Sequence, residues 1–202
     1  KFPLGASDPE VRCRGMDIME KAIELADDLG IRIIQLAGYD VYYEPGTKES
    51  EYRFRKNLEK AAMMAAAKGI IMGFETMETD FMNTTEKAMK YVNFIDSPYL
   101  GVYPDSGNLT NAAVSCCMNV LDDLETGRDH IFALHLKETV PGKFREIPFL
   151  TGHVDFEAII AKAWELGIRR YVTEMWDVGR AGWKDDIKFA FQSMSSILDR
   201  QQ

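Results

Sequence analysis

Four side chains able to bind a metal or carry a proton recur at one position of a repeating pattern: Glu75 in "GFETM", Asp105 in "VYPDSGN", His135 in "ALHLKET" and Glu174 in "VTEMW". Each stands at the end of a short apolar run. Thirty residues separate Glu75 from Asp105 and Asp105 from His135, and 39 separate His135 from Glu174. A single carboxylate at a strand end is ordinarily a helix N-cap or a loop charge, and a single histidine in "ALHLK" is ordinarily a satisfied core group. Four at one register point to chemistry instead. Corresponding ends of neighbouring parallel strands lie side by side, so the four groups converge at the C-terminal edge of a sheet, where barrel enzymes build their sites. Three carboxylates cannot share a dry space uncompensated, because burial and mutual repulsion both penalise their charge. One divalent cation resolves this. Three oxygens and one imidazole suit Mn2+ or Zn2+, with Mg2+ or Co2+ also compatible, and leave positions open for substrate oxygens.

The elements that must position these groups alternate. Strands are expected at 31–37, 70–76, 99–105, 131–137 and 169–175, and helices at 15–29, 51–68, 84–95, 110–126, 155–167 and 184–199. Gly30, Gly69 and Gly127 stand where helices should close. Such alternation predicts a parallel sheet covered by helices. An open doubly wound sheet and a (β/α)8 barrel both satisfy it. No glycine-rich phosphate loop follows any strand, which weighs against nucleotide binding. No linker or low-complexity break appears, so residues 1–202 read as a single domain.

Composition narrows the function classes. The chain of 202 residues is 46% hydrophobic and 28% charged, with a net charge of −8, the wrong sign for a nucleic-acid surface. No apolar run approaches the roughly 20 residues of a membrane helix. The N-terminal "KFPLGASDPE" lacks the apolar stretch of a secretory leader. Cys13, Cys116 and Cys117 have neither metal-ligand nor disulfide spacing, so a reducing cytoplasmic setting is expected. Ser106 lacks the neighbours of a hydrolytic nucleophile. His130 and His153 read as surface residues, with His153 within reach of a pocket rim.

The strings "LAGYDVYYE", "GFETM", "LGVYPDSGN", "HLKETVPGKFREIPF", "GHVDF" and "EMW", in this order, resemble the L-ribulose-5-phosphate 3-epimerases, also called L-xylulose-5-phosphate 3-epimerases. These are enzymes of L-ascorbate catabolism in the xylose-isomerase-like barrel superfamily. The resemblance implies a (β/α)8 TIM barrel, here running from about the end of strand 3 to helix 8. On that alignment roughly 80 residues carrying three strands would precede the chain, since such a barrel needs ~250. It implies one divalent ion on Glu75, Asp105, His135 and Glu174, with Glu75 and Glu174 as the acid/base pair. Leu150 in "PFLTGHVDF" stands where the family pattern implies a glycine.

The implied reaction is 3-epimerisation of a ketopentose 5-phosphate, L-xylulose 5-phosphate to L-ribulose 5-phosphate, through a metal-stabilised cis-enediolate. Two carboxylates on opposite faces of that plane would exchange the C3 proton. Lys137, on the same strand face as His135, is expected to reach the rim and meet the phosphate, with Arg145 and Lys143 as weaker candidates. Tyr39, Tyr42 and Tyr43 on one side and Trp176 on the other are expected to wall the sugar, and Asn108 to hydrogen-bond a hydroxyl. An epimerase or isomerase of an unphosphorylated ketose and a non-catalytic sugar-phosphate-binding barrel are the alternatives. A homodimer is compatible with the fold by analogy alone.

Overall fold

The computed structural model describes residues 1–179 and 181–201. Its elements are α1 (Pro9–Leu29), β1 (Ile33–Ala37), α2 (Lys48–Ala67), β2 (Ile71–Glu75), α3 (Thr85–Ile95), β3 (Leu100–Val102), α4 (Ser106–Cys116), α5 (Val120–Thr126), β4 (Leu134–Leu136), α6 (Phe156–Glu165), β5 (Tyr171–Thr173) and α7 (Trp183–Asp199).

Local chemistry sets the helix ends, and departs most from the expected bounds at the start of α1 and over 110–126. α1 starts six residues before the expected Gly15 because Asp8 accepts a hydrogen bond from the Glu10 N–H and Pro9 occupies the first turn, where its missing N–H costs nothing. The single helix expected over 110–126 is two. Cys117 turns left-handed at φ 52 and ends α4, and the Asn119 side chain then caps α5 through the Leu121 and Asp122 N–H groups. α4 also begins early, at Ser106, since Asp105 is its N-cap.

The five strands are all parallel and follow one another in chain order. β1 pairs with β2 from Ile33↔Ile71 to Ala37↔Glu75, and β2 with β3 from Met72↔Leu100 to Phe74↔Val102. Bridges at Val102↔Ile131 and Asp105↔His135 carry the arc from β3 to β4. β4 pairs with β5 from Leu134↔Tyr171 to Leu136↔Thr173. A doubly wound sheet would reverse its strand order partway. Here there is no reversal, and the order is that of a barrel wall. Two apolar clusters fill the wall, one around Phe54, Leu58, Met72 and Phe74 and the other around Leu134, Leu136, Ile159 and Ile160; Ile131 packs against both. Among the described residues no helix is long and apolar enough to cross a membrane.

The segment between β4 and α6 is pinned from inside. The buried Glu138 carboxylate accepts from the Thr139 and Val154 N–H groups at 3.0 and 3.2 Å. Gly152 passes so close that a Cβ there would sit 2.1 Å from the Thr139 carbonyl oxygen. Within this loop Leu150 adopts φ 62, a conformation costing an L-residue about 1–2 kcal/mol, while its side chain is 53% exposed and gains little from packing. Glycine would remove that strain and return about 0.4–1 kcal/mol of it through its looser unfolded state. Leu150→Gly is therefore expected to stabilise the protein by about 0.5–1 kcal/mol, a rise in Tm of about 1–4 °C for a chain of this size. Calorimetry checks this, and an unchanged or lower Tm would contradict the strain argument.

Candidate metal centre

Four strand ends bring four ligand-type side chains to one point. Glu75 closes β2, Asp105 links β3 to α4, His135 lies within β4, and Glu174 follows β5, its N–H bonded to the Leu136 carbonyl at 2.9 Å. One donor atom from each lies within 4.8 Å of every other. His135 Nδ1 is 3.0 Å from Glu174 Oε2, 3.6 Å from Glu75 Oε1 and 3.8 Å from Asp105 Oδ2.

Asp105 is both cap and site residue. Its Oδ1 accepts the Asn108 N–H at 2.7 Å and starts α4. Its Oδ2 is buried and has no hydrogen-bond donor among the described residues, and the same holds for Glu174 Oε2, which is near the imidazole but not aligned with it. Buried oxygens without donors are costly unless something else compensates them. Oxygen and nitrogen ligands about 2.1 Å from one ion lie at most about 4.2 Å apart, so this cluster closes on a single ion with a contraction under about an ångström. The donor set of three carboxylates and one imidazole fits a divalent cation.

The side chains around the cluster hold it from below. Lys137 is 6% exposed, and the expectation that it reaches the rim is not met. Its ammonium donates to Asn108 Oδ1 at 2.9 Å and lies 3.2 Å from Asp105 Oδ1 and 4.0 Å from Glu174 Oε2. Asn108, expected to face a sugar hydroxyl, is buried with both ends of its amide engaged, the nitrogen donating to the Thr76 carbonyl at 2.7 Å. Thr76 Oγ1 accepts the Asp105 N–H at 3.0 Å. Ser106 bonds the backbone of Lys137 in both directions, at 3.0 and 3.2 Å. The Gln35 amide lies 3.2 and 3.3 Å from the two His135 nitrogens, and Tyr103 meets the imidazole edge-on, with ring centroids 5.0 Å apart. Sequence reasoning passed over Gln35 and Thr76. Gln35 did carry a signal, being the one polar side chain in the strand "IIQLA".

At the mouth, Tyr39 donates a hydrogen bond to Glu78, Arg145 pairs with the same carboxylate at 3.6 Å, and the Arg145 guanidinium lies over the Trp176 ring at 4.7 Å. Tyr42 packs edge-on to Tyr39 and to Tyr43. His153 lies 3.0 Å from Thr139 Oγ1.

Charge is unbalanced here. Among the described residues, Glu75, Asp105 and Glu174 face one lysine. Burial pushes the Asp105 carboxyl up to about 7, against the opposing pull of Lys137. His135 is depressed by burial, yet Glu174, Glu75 and Asp105 outweigh that and raise it to about 9. Burial also lifts Glu174, but contact with His135 and Lys137 leaves it lowered. Binding a cation requires Asp105 ionised and His135 neutral, so both raised groups must release protons. Affinity for Mn2+ or Zn2+ should therefore rise with pH from below 7 to about 9, with about one to two protons released per ion at neutral pH. Titration calorimetry in buffers of different ionisation heat measures that number, and a pH-independent affinity would contradict the charge argument. Lys137→Met strips a buried carboxylate of its partner, an event costing about 3–5 kcal/mol. The metal-free variant should melt about 6–20 °C lower, and added cation should raise its Tm by more than it raises the parent's; equal rises would argue that Lys137 does not share the cluster's charge.

Comparison with known proteins agrees with this geometry. The family model for the xylose isomerase-like TIM barrel matches residues 1–193. The chain is 42% identical over 177 residues to the L-ribulose-5-phosphate 3-epimerase UlaE of Salmonella paratyphi C and 41% identical to that of Escherichia coli O139:H28, in each case over 87% of this chain. It spans 61% of the length of those curated relatives. Among solved structures, a D-tagatose 3-epimerase-like protein superposes with a TM-score of 0.83 at 19% identity, over 100% of this chain and 74% of that one. The D-allulose 3-epimerase from Methylomonas sp. in complex with D-allulose gives 0.81 at 19% identity, over 98% and 73%. Parallel strands in unreversed order, ligands at their C-terminal ends and a family model matching nearly the whole length agree: the chain belongs to the xylose isomerase-like TIM barrel family.

Proposed function

We propose that this chain carries the metal centre of a carbohydrate epimerase that inverts C3 of a ketopentose 5-phosphate, interconverting L-xylulose 5-phosphate and L-ribulose 5-phosphate. The observation that carries this reading is the convergence of Glu75, Asp105, His135 and Glu174 on one point, in a chain whose curated relatives are named L-ribulose-5-phosphate 3-epimerases. A divalent ion held by these four would polarise the substrate carbonyl and so acidify the adjacent C–H. Glu75 closes the first and Glu174 follows the last of the four strands whose ends bear the cluster. Each has a second carboxylate oxygen, so one glutamate can take the C3 proton while the other returns one to the opposite face. Asp105 and His135 hold their positions through the α4 cap and through Gln35, and Lys137 steadies the buried charge.

Epimerisation of an unphosphorylated ketose is the second reading, and the burial of Lys137 favours it, since that cation is withdrawn from the rim. A phosphate-dependent enzyme should lose most of its kcat/KM when the phosphate is removed from the substrate.

The test of the two-base reading is exchange of the C3 proton with deuterated water. Glu75→Gln and Glu174→Gln should each slow epimerisation by about 10²–10⁴-fold, with metal content determined in parallel. A variant that keeps its metal should still exchange the C3 proton of one epimer, the one whose base remains. Full epimerisation by either metal-loaded variant would exclude that glutamate from proton transfer.

A further inference from the structure

The mouth above the metal centre contains an ion pair for which the proposed proton transfers have no use. Glu78, three residues past Glu75, accepts the Tyr39 hydroxyl through Oε2 and faces Arg145 Nη2 through Oε1 at 3.6 Å. Arg145 in turn covers the Trp176 ring. The four residues come from the segments following β1, β2, β4 and β5, so their contacts bridge the rim of the same strand ends that bear the ligands. Glu78 is anchored, its side chain 25% exposed; burial, reinforced by that carboxylate, holds the Tyr39 phenol well above its ordinary range, so Tyr39 stays protonated and donates to Glu78.

Arg145 is less committed. Its side chain is 49% exposed, and among the described residues its guanidinium has one ion pair, longer than a hydrogen bond, and one stacking contact. An arginine has five N–H donors and grips phosphate through two at once. A half-exposed pair of this kind is worth at most about a fivefold preference, enough to discourage a free anion but not one delivered by a tethered ligand.

We infer that Glu78 is a specificity-determining residue: it occupies Arg145 as an internal anion, and a phosphorylated sugar binds by substituting its own phosphate for the Glu78 carboxylate on that guanidinium. The inference rests on the sugar-phosphate reading above. A sugar already seated at the metal centre presents its phosphate at high effective concentration, whereas inorganic phosphate must compete with Glu78 unaided. The pair weakens both phosphates alike, but it lowers occupancy only for the dilute free one, since the tethered phosphate is present at a concentration that still displaces Glu78.

The test is titration of inorganic phosphate into the metal-loaded protein, its E78Q variant and the E78Q/R145M double variant, followed by calorimetry. Glutamine keeps an acceptor for Tyr39 and removes only the charge, and any contact of phosphate with the metal is common to all three proteins. E78Q should bind phosphate about fivefold more tightly than the parent, and the double variant should lose that gain. Unchanged or weaker binding by E78Q overturns the inference, as does a gain that persists without Arg145. Turnover of L-xylulose 5-phosphate measured alongside separates the two levels. If no protein turns it over, the proposed activity fails while the phosphate titration still decides the role of Glu78; if the parent turns it over and E78Q binds phosphate no better, only the inference about Glu78 fails.

Discussion

The two oxygens of Asp105 tie the site to the fold. Oδ1 starts α4 by accepting the Asn108 N–H, and Oδ2 faces the cluster with no donor of its own. The backbone N–H of Asp105 is held by Thr76, next to Glu75, and its chain runs beside His135 in the β3–β4 bridge. Three of the four ligand-type residues are therefore positioned through contacts of one aspartate. A cap of this kind contributes about 1 kcal/mol, small beside the several kcal/mol that a buried, uncompensated carboxylate costs. The fold tolerates that cost where it needs a charged oxygen aimed inward.

Compensation arrives in stages. Lys137 supplies one positive charge from below, at 3.2 Å from the capping oxygen, and Asn108 orients that ammonium. His135 gains a proton when no stronger cation is present, which is why its affinity for protons is raised despite burial. Neither offsets the charge of the inward-facing oxygens as fully as a bound divalent cation would. The same excess of negative charge that strains the protein alone thus becomes the source of cation affinity, and the raised proton affinities of Asp105 and His135 are two expressions of it.

How much of this was legible in the sequence depends on the range of the interaction. The register of the four strand ends could be read because apolar runs break to a charged or polar residue at a repeating interval, and parallel strands convert that interval into proximity. The helix starts at Pro9 and Ser106 were missed because capping is decided by one side chain just outside the periodic stretch. Lys137 was placed on the correct face of its strand by the two-residue period, yet at the wrong depth: a four-carbon side chain can run outward to water or fold back, and the Asp105 carboxylate decides which. Nothing in a linear pattern reports that choice. Glu78 and Arg145 lie 67 positions apart in irregular segments, where no period exists to be read, and only the folded rim brings them together.

The site is therefore held by two kinds of bond. The four ligand-type residues sit at strand ends whose backbone hydrogen bonds continue the wall of the barrel, so moving one of them means breaking the sheet. The rim residues are joined by side-chain contacts alone, from Tyr39 through Glu78 and Arg145 to Trp176, on segments that carry no ladder. Substitution there leaves the backbone that positions the carboxylate–imidazole cluster untouched. Loops positioned by a rigid frame are where barrel proteins vary their chemistry. In this chain the division falls between Glu75 and Glu78: three residues apart, the first is fixed by the sheet, and the second is free to be exchanged for another anion.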